Sequence, residues 1–129
     1  MSRTRSILGI VAGVLMAASA AAHSLLGWPQ LRARLAQSGV PSDLAQGLAV
    51  GWHFGGAAMV AFAALVLWTF FRRLGGRDAP LVPPAIVAAL YLAFGAGALA
   101  ITGDPFFMVF IVPGLLLAAA SFPRRDSGS

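Results

Sequence analysis

Cysteine, lysine and glutamate are all missing from this chain, and each absence closes off a chemistry. Without cysteine there is no disulfide, no thiolate nucleophile, no iron–sulfur ligation and no covalent c-type haem. Without lysine there is no Schiff base and no P-loop lysine. Without glutamate the metalloprotease pattern HExxH has no base. Charge of any kind is scarce: 10% of the residues are charged and 59% are hydrophobic, where a soluble domain carries roughly 25% charged residues. The cations are all arginine and the anions all aspartate, for a net charge of +5. The arginines sit in scattered pairs at the ends of apolar runs. That placement suits the flanks of membrane segments rather than a nucleic-acid face, and no nucleic-acid partner is expected.

What is present is four long stretches without charge. Residues 6–31, 44–71, 79–103 and 105–123 contain no Asp or Arg. A helix crosses a bilayer with about 20 apolar residues, and lipid cannot satisfy bare backbone groups, so such runs must be helical. The expected fold is an all-α integral membrane protein, one domain over residues 1–129 with four transmembrane helices near 7–26, 48–71, 84–101 and 106–122. Four buried core helices of a soluble protein would leave almost no residues to cover them.

The arginines orient the helices. With the N-terminus in the cytoplasm, the inner side holds Arg3, Arg5, Arg72, Arg73, Arg77, Arg124 and Arg125, and the outer side only Arg32 and Arg34. Positive charge collects inside, so both termini are expected there, in a multi-pass protein of the bacterial inner membrane. Trp28 and Trp52 then fall at the outer interface and Trp68 toward the inner one. A rival reading takes "SRTR", the apolar stretch and "AASAAAHS" as a signal peptide. Cleavage after Ala22 would leave His23 as an N-terminus able to chelate copper, but the apolar run is long for a signal segment. The external loop, 27–47, is expected to carry a short amphipathic surface helix that begins near Pro29 and ends at Gly39. Asp43, with Gln46 three residues on, looks like the cap of the second helix.

Small residues recur every four positions: Gly9, Gly13, Ala17 and Ala21; Gly47, Gly51 and Gly55; Ala85, Ala89, Ala93 and Gly97; Gly114 and Ala118. In lipid, close backbone approach over such residues supplies helix packing. Added bulk at Gly51 or Ala89 is therefore expected to impair assembly. Pro113 is expected to kink the last helix.

The chain's only two histidines stand in "AAHSLLGWP" and "VGWHFGG". His23 lies 18 residues from Arg5, His53 19 from Arg72 and Asp104 20 from Arg124, which at 1.5 Å per residue is about 27, 28 and 30 Å. Three helices thus deliver titratable groups to one height beneath the outer interface, with Thr102 and Gln46 near the same level. Polar groups at membrane depth usually face a bundle interior or a cavity. Two imidazoles, His23 and His53, are candidate axial ligands for b-type haem; with Asp104 they are candidate ligands for a transition metal. A proton relay or a hydrogen-bonded quinone headgroup is a further reading. The plain alternative is that each histidine is an interfacial residue bonded to a carbonyl and that Asp104 caps the last helix.

The pattern "HSLLG" closing the first helix and "WHFGG" opening the second resembles small four-helix proteins of bacterial inner membranes, a group with no established activity. The likeness covers most of the chain. Small multidrug exporters need a membrane glutamate, which is absent, and the fluoride-channel signature is missing. The functional expectation is a binding or accessory subunit without hydrolytic catalysis, lodged in the lipid bilayer as a homo-oligomer or within a larger membrane complex. Its alternatives are a haem- or metal-dependent membrane redox protein and an oligomeric transporter or channel.

Overall fold

The computed structural model describes residues 2–122. Among these every regular element is helical, with no strand. Helix α1 (Arg3–Ala22) runs through a five-residue π-helical turn (His23–Gly27) into α2 (Trp28–Gln37); α3 (Ser42–Leu74), α4 (Val82–Thr102), a 3-10 turn (Pro105–Phe107) and α5 (Met108–Ser121) follow. Three helices are long and apolar enough to cross a membrane: the continuous 35-residue stretch Arg3–Gln37, Ser42–Leu74 and Val82–Thr102. Pro105–Ser121 is apolar but shorter.

Packing follows a seam with alternating spacings of three and four. On α1 the buried positions are Ser6, Gly9, Gly13, Met16 and Ala20, with Ala12 beside them. Pro84, Ala88, Tyr91 and Gly95 continue the same rhythm on α4, and Ala63, Val66 and Phe70 on α3. A period near 3.5 keeps one stripe facing its partner along the whole helix. Helix α1 packs along both α3 and α5, and α5 along α4, whereas α3 and α4 meet only briefly. The bundle is thus an incompletely closed ring with α1 and α5 at its centre. Met16, Val66, Phe70 and Leu117 are fully buried there.

Glycines seat the larger side chains of facing helices. A Cβ on Gly13 would stand 2.8 Å from the Leu67 side chain, one on Gly95 2.8 Å from Cγ1 of Ile111, and one on Gly114 3.0 Å from Leu92. Gly9 lies against the face of the Phe70 ring. At the same end of the bundle Arg5 reaches the exit of α5. Its Nε and Nη2 donate to the Ala120 carbonyl at 3.2 and 2.9 Å, and Nη2 also donates to the Phe122 carbonyl at 2.7 Å. A helix end leaves carbonyls without partners, and a charged donor satisfies them here.

Several expectations are corrected. The second helix starts at Ser42, not near 48, because nothing between Ser42 and Leu48 breaks a helix. Its N-cap is Pro41 with no side-chain cap; Asp43 lies instead in the first turn, where its charge favours the helix N-terminus. The loop helix forms, and Gly39 with φ 66° follows its end, but it grows directly out of α1. Of the four-residue repeats, Gly9, Gly13 and Gly114 pack closely, whereas Gly47, Gly51 and Gly97 have nothing within 4 Å of a Cβ, and Ala17, Ala21, Ala89 and Ala93 are exposed. Each four-residue step overshoots one turn by about 40°, so a strict repeat of four walks off a seam whose period is 3.5. Pro113 lies inside α5 and is buried.

The glycines therefore divide by sign. Gly51→Ala should stabilise the bundle by up to about 1 kcal/mol, since alanine is the better helix former and its methyl meets nothing. Gly95→Ala should cost about 1–3 kcal/mol through overpacking against Ile111 and Phe110. Thermal unfolding of both variants in detergent checks this, and a gain for Gly95→Ala would refute the packing assignment.

Candidate functional site

His23 and Trp52 lock α1 to α3 by a reciprocal exchange. The imidazole Nε2 lies 3.1 Å from the Trp52 carbonyl. A carbonyl can only accept, so Nε2 carries the proton. In return the Trp52 indole Nε1–H donates to the His23 carbonyl at 3.2 Å. The two rings stack with centroids 4.1 Å apart and planes within 8°.

The local sequence explains why this contact fits. Within an α-helix Pro29 would drive its ring into the carbonyl four residues back. The chain takes a wider π turn just before it, in which the Trp28 N–H bonds to the His23 carbonyl five residues earlier. Single π turns of this kind are frequent at functional sites. Two glycines then admit the rings. A Cβ on Gly27 would meet Trp52 at 2.7 Å, and one on Gly56 would meet Ser24 Oγ at 2.8 Å and the His23 ring at 3.3 Å. The glycine of "HSLLG" thus receives the tryptophan of "WHFGG", and a glycine of "WHFGG" receives the histidine of "HSLLG".

The second histidine belongs to the same cluster. Trp28 stands 6.5 Å from Trp52 and 4.8 Å from His53, centroid to centroid. The order is His23, Trp52, Trp28, His53, so each imidazole rests on a tryptophan from the other segment. His53 is exposed. Asp104 is also exposed and caps the 3-10 turn, its Oδ1 accepting from the Phe106 N–H at 2.8 Å. Thr102 serves that corner too, donating to the Ala98 carbonyl at 2.8 Å and accepting from the Asp104 N–H at 3.1 Å. Among the described residues no group of three or more His, Asp, Glu or Cys is gathered as a metal site.

Beside His23 a cleft of two lobes opens, the first bordered by α1, α3 and α5 and the second by α3, α4 and α5. One lobe, about 360 Å³, is bordered by Ser19, His23, Gln30, Trp52, Met59 and Phe110 among others. The other, about 420 Å³, is bordered by His23, Met59, Phe62, Tyr91, Phe94 and Phe110. His23, Met59 and Phe110 line both. Phe94 meets Phe110 edge-on at 4.9 Å, and Tyr91 tilts against Phe110 at 5.6 Å. Tyr91 is 5% exposed, and its hydroxyl has no hydrogen-bond partner. A larger hollow of about 580 Å³ lies at the opposite end beside Arg5 and Phe122, but that arginine is already committed to backbone carbonyls.

Sequence reasoning named His23 and missed Trp52 as its partner, Gly27 and Gly56 as the seats, and Tyr91 altogether. The pairing of glycine and tryptophan around each histidine was the available signal for the first three. For the last it was a sole tyrosine inside a charge-free run.

The fold and these contacts define an all-helical bundle of membrane-length helices with an aromatic lock at one end and an apolar cleft behind it. Comparison with family models, with curated proteins and with solved structures yields no match.

The lock is testable by coupling. His23→Ala and Trp52→Phe should each cost about 1–2 kcal/mol, one hydrogen bond plus lost ring contact. The double variant should cost less than their sum by about 0.5–1 kcal/mol. Strict additivity in denaturant unfolding would mean that the two residues act independently.

Proposed function

We propose that this chain is a multi-pass inner-membrane protein of four spans, with both termini cytoplasmic, that works as a ligand-binding or accessory subunit rather than a hydrolase. The observation that carries the binding reading is the cleft beside His23. It is concave and mostly apolar, with few polar groups, which is the usual make-up of a small-molecule site. The arginine distribution supports the orientation. The central place of α1, packed on both α3 and α5, supports its retention as a span rather than its removal as a signal peptide. Gly47, Gly51 and Gly97, left uncovered by the chain's own helices, suit close approach by another helix and support the accessory role. In this reading His23 orders the wall of the cleft and Asp104 shapes the turn into α5.

Two measurements test these statements. A reporter fused after Ser129 should read cytoplasmic and one inserted at Ser38 external; an external C-terminus would overturn the orientation. Native mass spectrometry of protein released from its membrane should find a retained non-protein mass near one per chain. Ala58→Trp, which fills the cleft, should remove it. A bare wild-type chain, or an adduct indifferent to Ala58→Trp, would remove the binding reading.

A further inference from the structure

We infer that the groove between α2 and the start of α3 holds an anionic phospholipid, with Arg32 on its phosphate and its acyl chains along the apolar walls. This rests on the membrane placement proposed above and is separate from the cleft beside His23.

Arg32 is a cation without a partner. Two tryptophans are each followed four residues later by an arginine, in "WPQLR" and "WTFFR". In the second, the Arg72 guanidinium lies over the Trp68 ring, 5.3 Å from its centroid, where the aromatic face attracts a cation. In the first, the Trp28 ring is taken up by His53 and Trp52, at 4.8 and 6.5 Å. Arg32 is exposed and has no hydrogen bond, ion pair or ring contact among the described residues.

The walls around it are apolar. A groove of about 360 Å³ is bordered by Trp28, Arg32, Leu35, Ala36, Gln46 and Ala49 among others. A neighbouring hollow of about 380 Å³ is bordered by Pro29 and Ala33 and shares Trp28, Arg32 and Ala36. Arg32 and Gln46 are the polar side chains of these linings, both can donate, and neither lining contains an acid. The occupant that fits has an anionic acceptor on an apolar body. A guanidinium pairs with phosphate oxygens through parallel N–H bonds. A zwitterionic headgroup would bring an ammonium that finds no carboxylate, and a soluble anion would leave the apolar walls bare.

Height along the helix selects the same occupant. Arg3–Gln37 is one continuous stretch of 35 residues, and Arg32 lies 27 residues from Arg5, about 40 Å at 1.5 Å per residue. A bilayer measures about 40–45 Å with its headgroups. With Arg5 at the inner headgroups, Arg32 arrives at the outer ones, and Trp28 lies one turn beneath, beside the acyl chains. Lipid phosphates therefore stand at the level of the unpaired guanidinium.

The test places the full chain carrying Trp68→Phe in phosphatidylcholine nanodiscs, so that Trp28 and Trp52 report on this end of the bundle. Brominated phosphatidylglycerol or brominated phosphatidylcholine replaces a rising fraction of the lipid, and tryptophan quenching is read. Half-maximal quenching should need about 5-fold less phosphatidylglycerol than phosphatidylcholine, the effect of one arginine at an anionic headgroup. Arg32→Gln should remove that preference. Arg34→Gln, the same loss of charge at a residue that borders neither hollow, should keep it. Ala36→Phe, which fills both hollows with the charge in place, should also remove it. Equal quenching by the two lipids would overturn the proposal. So would equal losses in Arg32→Gln and Arg34→Gln, which would mean a general surface charge. Loss of the preference in inorganic phosphate, but not in chloride of equal ionic strength, would assign the groove to a soluble anion instead. A nanodisc presents the same lipids on both faces, so these results do not depend on orientation, which the reporter fusions read, or on the cleft, which Ala58→Trp reads.

Discussion

Helix α1 is the partner that α3 and α5 share, and in a bilayer, which three of the helices are long and apolar enough to cross, it would hold both without a hydrophobic force of the kind that drives soluble folding. Lipid is as apolar as leucine, so helices associate only where atoms touch closely or polar groups bond. The contacts are arranged accordingly. Gly9 and Gly13 let α1 come down on Phe70 and Leu67 of α3. Arg5 ties the start of α1 to the exit of α5 through three charged hydrogen bonds. His23 and Trp52 tie its other end to α3 through a reciprocal pair of hydrogen bonds to backbone carbonyls. Polar fastening is thus placed at the two ends of α1, and bare van der Waals packing fills the length between them.

The π turn connects that arrangement to the cleft. An uninterrupted α-helix would reach Pro29 with a clash. Widening the turn relieves it and lets the His23 carbonyl receive both the Trp28 amide and the Trp52 indole. The same carbonyl therefore serves the helix and the lock. His23 also borders both lobes of the cleft, so the residue that fixes α1 against α3 is part of the wall of each.

What could be read beforehand divides along physical lines. Charge-free runs of bilayer length announce helices because the constraint is local: backbone without water must bond to itself. The π turn was not readable, and its partners were signalled only by the glycine and tryptophan beside each histidine, a coincidence between two segments thirty residues apart. Register was legible only in part. Small residues every four positions named Gly9, Gly13 and Gly114 correctly, since a short run of fours coincides with the seam. It then misplaced Gly51 and Ala89, because the repeat drifts around the helix while the seam does not. Height along a helix was likewise readable and rotation was not. His23, His53 and Asp104 have similar spacings to their arginines, yet one faces Trp52, one rests on Trp28 and one caps a turn.

This separation bears on why so apolar a chain keeps its two histidines where it does. Imidazole is flat, so it stacks on indole as phenylalanine would, and it carries an N–H that phenylalanine lacks. At His23 both properties are used at once: 4.1 Å stacking on Trp52 and a bond to that residue's own carbonyl. Glutamine could supply the donor without the stacked ring, and tryptophan the ring and donor with too much volume for the seat that Gly56 leaves. His53, in contact with Trp28 and exposed, has the ring contact without a buried bond. The two residues look alike in sequence but carry different loads. Removing His23 takes away a fastening between helices and part of a cleft wall, whereas His53 can change with little consequence for either. The first histidine lines the cleft in the interior of the bundle, and the second stands at the surface.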